Sequence, residues 1–334
     1  MAVTTVLIGC GGRGIQAHGK LAKQSEKLDL LAVCDLDDAR RTAASEQLGA
    51  PGVRDYHDLL ARAEVQSVLI ATNARWHAPI AFDAIKAGKH VLIEKPLADT
   101  AESAYALAEA AQRAGVIGMV GYQFRLSSFG QTFQQLAAQI APLQGLFTVQ
   151  RGPMGQQYFF PEHYGGVVDT ATHTIHLALW SMGGTPTGVY GRVGRGSLVG
   201  DRTIEDFEMV IEFDGGVRTA TVVSSMFGIQ AGNTLQIIGK QGSVLSHDRK
   251  HIRVVRHPAI VQPGRFAGMA ELTKEDVETA GEGDATGPML DHFADLISGA
   301  AKEQVGATLR EGAAAIAVTE AMARSAESGC KVTP

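Results

Sequence analysis

Three sets of residues have types and spacings that can do chemistry. The first is a cation closing an apolar run, His90-Val91-Leu92-Ile93-Glu94-Lys95-Pro96. A buried ammonium loses hydration, which lowers its pKa and lets it exchange protons near neutral pH; the plainer alternative is a head group that escapes to water beyond a strand end. The second is Asp169-x-x-x-His173-x-x-His176. If 167–181 is helical, these three share one face, and a histidine titrating near neutrality can take a proton from a hydroxyl. The third is Gly9-x-Gly11-x-x-Gly14, with Asp35 21 positions after Gly14. In such a loop the first glycine permits a tight turn, the second lets the backbone approach a pyrophosphate, and the third lets the following helix pack against the strand. The helix N-terminus then stabilises phosphate charge. Asp35 is placed to accept hydrogen bonds from ribose hydroxyls and to repel a 2′-phosphate, so NAD is expected and NADP is the lesser alternative. Arg40 and Arg41 fall in the next helix, where they read as surface charges.

The elements that must hold these groups are legible in the punctuation. Apolar runs at 4–8, 30–34, 67–71, 90–93 and 118–120 read as strands separated by helical patterns. One helix runs from the glycine loop to about 25, and another from about 39 to Gly49, where a left-handed cap is expected. A third has Pro79 near its first turn and Gly88 just past its end. A fourth starts from Asp99 and Glu102, spaced as a capping box, and ends near Gly115. This alternation predicts an α/β fold with a doubly wound parallel sheet over 1–122, a dinucleotide-binding Rossmann domain. Beyond about 123 the pattern changes to longer alternating strands at 146–151, 206–213, 217–225, 234–238 and 252–255, with Asp214-Gly215-Gly216 as a hairpin turn. A second, α+β domain with a large, mainly antiparallel open sheet is therefore expected over 123–334.

Composition bounds the reading. At 334 residues the chain exceeds what one core usually serves. Apolar residues at 45% and charged residues at 19% describe a soluble globular protein, and a net charge of -5 gives no general attraction to nucleic acid or anionic membrane. The basic cluster from His247 to His257 alternates with apolar residues as a charged, exposed edge strand would. Three cysteines without metal-binding spacing argue against a disulfide framework and favour a reducing cytoplasm. No secretion signal or membrane-length apolar run is expected.

Several of these motifs together resemble the Gfo/Idh/MocA oxidoreductases, which include inositol, glucose and other sugar dehydrogenases. The resemblance covers nearly the whole chain: the glycine series; Ala71-Thr72 followed by His77; Ala87-Gly88-Lys89-His90-Val91-Leu92-Ile93-Glu94-Lys95-Pro96-Leu97; Gly165-Gly166-Val167-Val168-Asp169-x-x-x-His173; Ile238-Gly239-x-x-Gly242-Ser243; and Ser325-Ala326-x-x-Gly329. It implies that Lys95 and His173 lie beside nicotinamide and the substrate hydroxyl, with Asp169 binding or orienting substrate. It further implies a cofactor site drawing on Gly9, Gly11, Gly12, Arg13, Gly14, Asp35, Thr72, Asn73, His77, Glu94 and Lys95, and subunit pairing on the open sheet as a homodimer or homotetramer. The chain departs from the family pattern at Asn73 and Ala74, where a Pro-Asn pair is common, at Ala171 in place of glycine, and at His176 in place of aspartate.

The expected activity is hydride transfer between nicotinamide and a hydroxyl carbon of a sugar, sugar derivative or inositol, with Lys95 and His173 handling the proton. Substrate contacts are expected from Lys95, Gln123, Arg151, Tyr158, Asp169, His173 and His176, with Trp76, Tyr122 and Arg125 also lining a pocket between domains. Two alternatives stand beside it: a redox-neutral, NAD-dependent cleavage of glycosides, and a non-catalytic dinucleotide-sensing protein. Helical histidines at this spacing, with His163 nearby, can share zinc, but no further ligand signature accompanies them and no metal is expected.

Overall fold

The computed structural model describes residues 2–150, 166–195, 204–225, 232–256, 272–281, 283 and 285–334. The chain divides into two compact units, Met1–Leu126 with Asp284–Ile316, and Ser127–Gly283 with Ala317–Pro334. Sequence patterning put one boundary after 122; in the structure the division falls four residues later, and a C-terminal stretch also returns to the first unit.

The first unit is a six-stranded parallel sheet of β1 (Val3–Ile8), β2 (Leu28–Cys34), β3 (Gly52–Val53), β4 (Ser67–Ile70), β5 (His90–Ile93) and β6 (Gly118–Val120), in the order β3-β2-β1-β4-β5-β6. All four β4 residues and Val91, Leu92 and Ile93 of β5 are buried, as expected of strands covered on both faces. The connecting helices are α1 (Lys20–Gln24), α2 (Asp38–Leu48), α3 (Tyr56–Leu60), α4 (His77–Lys86) and α5 (Ala101–Ala114). The helix ends follow the sequence signals. Gly49 and Gly115 are left-handed caps at φ 59° and 67°. The expected capping box is corrected: Thr100, not Asp99, caps α5, its hydroxyl accepting from the Ser103 N–H. The short β3 and α3 had no periodic signal strong enough to be expected.

The returning segment completes this unit. Helix α8 (Thr286–Ser298) places Met289, Leu290, Phe293 and Ala294 against Leu7, Leu28, Leu30 and Leu92. Helix α9 (Leu309–Ser328) starts with a capping box in which Thr308 and Glu311 satisfy each other's N–H groups, at 3.2 and 2.8 Å. The division between units falls within α9, between Ile316 and Ala317.

The second unit carries an eight-stranded sheet. Its strands are β7 (Pro142–Gln150), β8 (Pro186–Arg195), β9 (Ile204–Phe213), β10 (Arg218–Ser225), β11 (Gly232–Gly239), β12 (Gly242–Ser246), β13 (His251–Arg256) and β14 (Thr273–Glu278), in the order β14-β13-β12-β11-β7-β10-β9-β8. Every pairing is antiparallel except β7 with β10. Helices α6 (Ser128–Gln139) and α7 (Gly166–Met182) pack on it. Strict alternation buries Phe147, Val149, Val222, Phe207, Leu235 and Ile237, while Leu146, Tyr190 and Ile238 remain 36%, 45% and 44% exposed on the other face.

One expectation is overturned here. Strand β13 is not the edge of its sheet, because β14 pairs along its length. Its arginines face an acidic neighbour, with Arg253–Asp276 and Arg256–Glu275 both at 2.8 Å, and Lys250 just before it pairs with Glu278 at 2.6 Å.

Candidate active site

Ligands of doubly wound sheets bind outside the carboxyl ends of the strands, where the strand order reverses. Here that point lies between β1 and β4, and the loop after each strand carries candidate residues. Gly9 has φ 101°, and a Cβ on it would lie 2.6 Å from the Ala71 carbonyl carbon and 2.7 Å from the Thr72 nitrogen. A Cβ on Gly14 would lie 2.0 Å from the Gly9 oxygen. These two glycines are thus dictated by backbone packing. Around Gly11 and Gly12 an added Cβ meets nothing within 4 Å, which leaves main chain open to a phosphate at the start of a helix.

Asp35, at the end of β2, fixes the same loop. Its Oδ2 accepts from the Cys10 N–H at 2.8 Å and its Oδ1 from the Asp37 N–H at 2.9 Å. An ionised carboxylate has about four acceptor positions, so capacity remains for ribose hydroxyls. Arg40 lies 3.5 Å from Asp35, and Arg41 is committed to the Asp35 carbonyl and the Asp38 carboxylate. Burial pushes the thiols of Cys10 and Cys34 up to about 12, so neither is a nucleophile at neutral pH.

After the glycine loop the chain makes a π-helical turn, Gly14–Gly19, before α1. That wider turn carries His18, 1% exposed, to 2.8 Å from Glu94 Oε1. The Arg13 Nε–H donates to the same oxygen at 2.8 Å, and its Nη2 donates to the Thr286 hydroxyl at 3.1 Å. The Lys95 N–H donates to Glu94 Oε2 at 3.1 Å. Burial acts to raise the Glu94 pKa, but the His18 hydrogen bond and the charges of His18, Arg13 and Lys95 outweigh it, holding the carboxyl well below the usual range. Glu94 therefore engages both oxygens within the unit, tying the glycine loop to the main chain of Lys95.

Lys95 follows β5 and is half-buried, and the Lys95–Pro96 peptide is cis. His77, at the start of α4, is 1% exposed. Its Nδ1 lies 2.7 Å from the Pro96 oxygen and its Nε2 lies 3.2 Å from the Thr72 oxygen. Burial lowers its pKa, against the opposing effects of the Pro96 carbonyl and the Glu94 charge. Asn73 accepts from the Arg75 N–H at 3.4 Å, and Trp76 beside it is 50% exposed. Gly9, Gly11, Gly12, Arg13, Gly14, Asp35, Thr72, Asn73, His77, Glu94 and Lys95 all belong to one unit, on or beside its carboxyl-end loops.

The remaining candidates divide differently. Tyr122 is buried, Gln123 half-buried, and Arg125 is buried and ion-paired with Glu311. That pairing makes Arg125 a structural cation rather than an obvious substrate contact. In the second unit Asp169, His173 and His176 all lie on α7, as the spacing requires. His173 is half-buried and His176 is 3% exposed. Arg151, Tyr158 and His163 lie outside the described residues.

Sequence reasoning missed His18, whose only signal was a polar residue amid small and apolar neighbours. It also missed Arg249, taken as part of an exposed basic cluster. Arg249 is 4% exposed, and its guanidinium donates to Asn233 Oδ1 at 3.0 Å and to the Thr174 hydroxyl of α7 at 3.3 Å.

Comparisons with known proteins agree with this architecture. Residues 3–122 match the Gfo/Idh/MocA oxidoreductase family, NAD-binding Rossmann fold, and residues 146–333 match its C-terminal alpha/beta domain. Inositol 2-dehydrogenase 2 of Saccharopolyspora erythraea is 27% identical over 98% of this chain and 94% of its own length. A glycosyl hydrolase family 109 protein of Shewanella sp. (strain W3-18-1) is 34% identical over 116 residues, 32% of this chain and 25% of its own. The fold superposes on GenD2 from gentamicin A biosynthesis, solved with NAD, with a TM-score of 0.81 at 23% identity over 100% of this chain and 96% of that one. With an open glycine loop, an acidic residue closing β2 and family matches across both halves, the chain belongs to the Gfo/Idh/MocA oxidoreductases and carries their NAD-binding Rossmann unit.

Proposed function

We propose that the protein is an NAD-dependent dehydrogenase acting on a hydroxyl-bearing carbon of a sugar, sugar derivative or inositol. The observation that carries this reading is Lys95, held at the carboxyl end of β5 by Glu94 in the unit that binds the dinucleotide. Similarity over nearly full length to an inositol 2-dehydrogenase supports a cyclic polyol or sugar. Asp35 supports NAD over NADP, because a 2′-phosphate would meet its carboxylate.

Bound nicotinamide supplies the hydride acceptor. The protein must then dispose of the hydroxyl proton and stabilise charge on the oxygen. We assign the first task to His173, whose imidazole can accept a proton near neutral pH, and the second to the Lys95 ammonium, which also serves as a proton relay. Asp169, one helical turn before His173, orients the substrate. Gln123, Arg151, Tyr158 and His176 are proposed as further contacts, with His176 setting preference where relatives carry aspartate. On this reading the first unit holds the cofactor, and the second provides substrate contacts and self-association.

The open face of the eight-stranded sheet, with Leu146, Tyr190 and Ile238 exposed, supports pairing of two subunits there, as a dimer or a dimer of dimers. Among the described residues no helix is long and apolar enough to cross a membrane, and all three cysteines are free; we propose a cytoplasmic enzyme.

The test is a panel of inositols, aldoses, uronic acids and glycosides scanned for NADH formation with NAD and NADP. Reduction of NAD by a polyol or sugar is the expected outcome, with Lys95→Ala and His173→Ala each lowering kcat by about 10²–10⁴. The similarity to a glycosyl hydrolase family 109 protein favours one second reading, redox-neutral cleavage of a glycoside. Aglycone release with NAD regenerated and no net NADH would establish it instead.

A further inference from the structure

The two ring nitrogens of His77 each face a carbonyl oxygen, Pro96 at 2.7 Å and Thr72 at 3.2 Å. Carbonyl oxygens only accept, and a neutral imidazole has one N–H to give. In the neutral ring one contact is therefore a hydrogen bond, while the other sets a nitrogen lone pair against an oxygen lone pair. The shorter distance places the hydrogen on Nδ1. Full burial favours the neutral ring, against the Glu94 and Asp99 carboxylates that face it.

The two carbonyls have functional addresses. Thr72 begins the loop after β4, which the missing Cβ of Gly9 allows to approach the glycine turn. Pro96 follows Lys95 in the turn after β5, the adjacent parallel strand. His77 thus lies between the loop nearest the dinucleotide and the turn that presents Lys95.

We propose that His77 is a positioning residue, fixed as the Nδ1–H tautomer, that anchors the Lys95–Pro96 turn through the Pro96 carbonyl and sets it against the Thr72 loop for NAD binding. The cofactor part rests on the NAD-binding unit alone, and only the consequence for Lys95 rests on the function proposed above. The arrangement explains why a histidine, rather than an apolar residue, fills a fully buried position at the start of α4: it supplies one donor to one loop while packing against the other.

Asparagine and glutamine separate the two nitrogens, since the asparagine amide reaches about as far as Nδ1 and the glutamine amide about as far as Nε2. NAD affinity is read from Trp76 fluorescence in a Trp180→Phe background of the full chain, with thermal unfolding as a folding control. His77→Asn should bind NAD within about threefold of the parent, whereas His77→Gln and His77→Phe should bind about tenfold more weakly, the worth of one buried hydrogen bond. Nitrogen-15 shifts of His77 in the parent should report protonated Nδ1 and bare Nε2. Equal affinities in all four proteins, a glutamine variant that binds as well as the parent, an Nε2–H tautomer or a doubly protonated ring would overturn the proposal. If no variant folds, the tautomer decides alone. Failure of every sugar to reduce NAD would sink the proposed function while leaving this inference standing.

Discussion

Replacing Glu94 by glutamine changes one atom and should unsettle the first unit measurably. The carboxylate receives three donors: Arg13 Nε and His18 Nε2 on one oxygen, and the Lys95 N–H on the other. Hydrogen bonds to a charged group are worth about 1.5–3 kcal/mol each, against about 1 kcal/mol for neutral ones. An amide has one oxygen, so it can keep Arg13 and His18 at the weaker value, but its NH2 then meets the Lys95 N–H. Arg13 is 41% exposed and can recover hydration, so its share is discounted; His18 is 1% exposed and has no such recourse. The net loss is about 3 kcal/mol, which for a domain of this size lowers Tm by about 6–12 °C. The assay is thermal unfolding of both proteins across pH. Because the folded-state pKa is depressed, the stabilisation is present above the unfolded carboxyl value of about 4.3 and is lost only as pH falls through the lower folded value. The gap between the proteins should therefore hold from about pH 8 to about pH 5 and close only in stronger acid. A glutamine variant within about 1 kcal/mol of the parent at neutral pH would refute the idea that this carboxylate is a charged hub.

Other outcomes follow from the same geometry. Gly14→Ala, whose Cβ would sit 2.0 Å from the Gly9 oxygen, should not fold normally, whereas Gly11→Ala, meeting nothing within 4 Å, should keep its Tm and lose NAD affinity; calorimetry with and without NAD checks both. Arg125→Met should cost about 1–2 kcal/mol, because Glu311 is 37% exposed and keeps its Thr308 partners, and Arg125→Met with Glu311→Gln should cost less than the two single changes added together, read by urea unfolding. If subunits pair through the sheet face as proposed, Leu146→Glu should give monomers in light scattering with the fold retained; a mass equal to the parent's would remove that face as the subunit contact. Arg249→Met should strip α7 of a buried donor to Thr174 and destabilise the second unit while NAD binding by the first is unchanged, a split that calorimetry with titrated NAD resolves.

Local patterns gave away what local physics controls. Gly9 and Gly14 are required by close backbone approach, Gly49 and Gly115 by left-handed caps, and His90–Ile93 by burial on both faces of a sheet, and each of these is visible in a few adjacent residues. The spacing of Asp169, His173 and His176 likewise needed only a helix. What the sequence could not contain was the identity of distant partners. Glu94 meets Arg13 and His18 across 81 and 76 residues, Arg125 meets Glu311 across 186, and Arg249 turns inward to Thr174 across 75. The return of α8 to the first sheet is of the same kind. A charge reads in sequence as a solvated surface group until the fold supplies a buried partner, because desolvation makes burial tolerable only when opposite charge or hydrogen bonds arrive from elsewhere in the chain. The sequence thus determined which residues could do chemistry, and the tertiary structure decided that the Glu94 carboxylate holds Lys95 and that two backbone carbonyls flank His77.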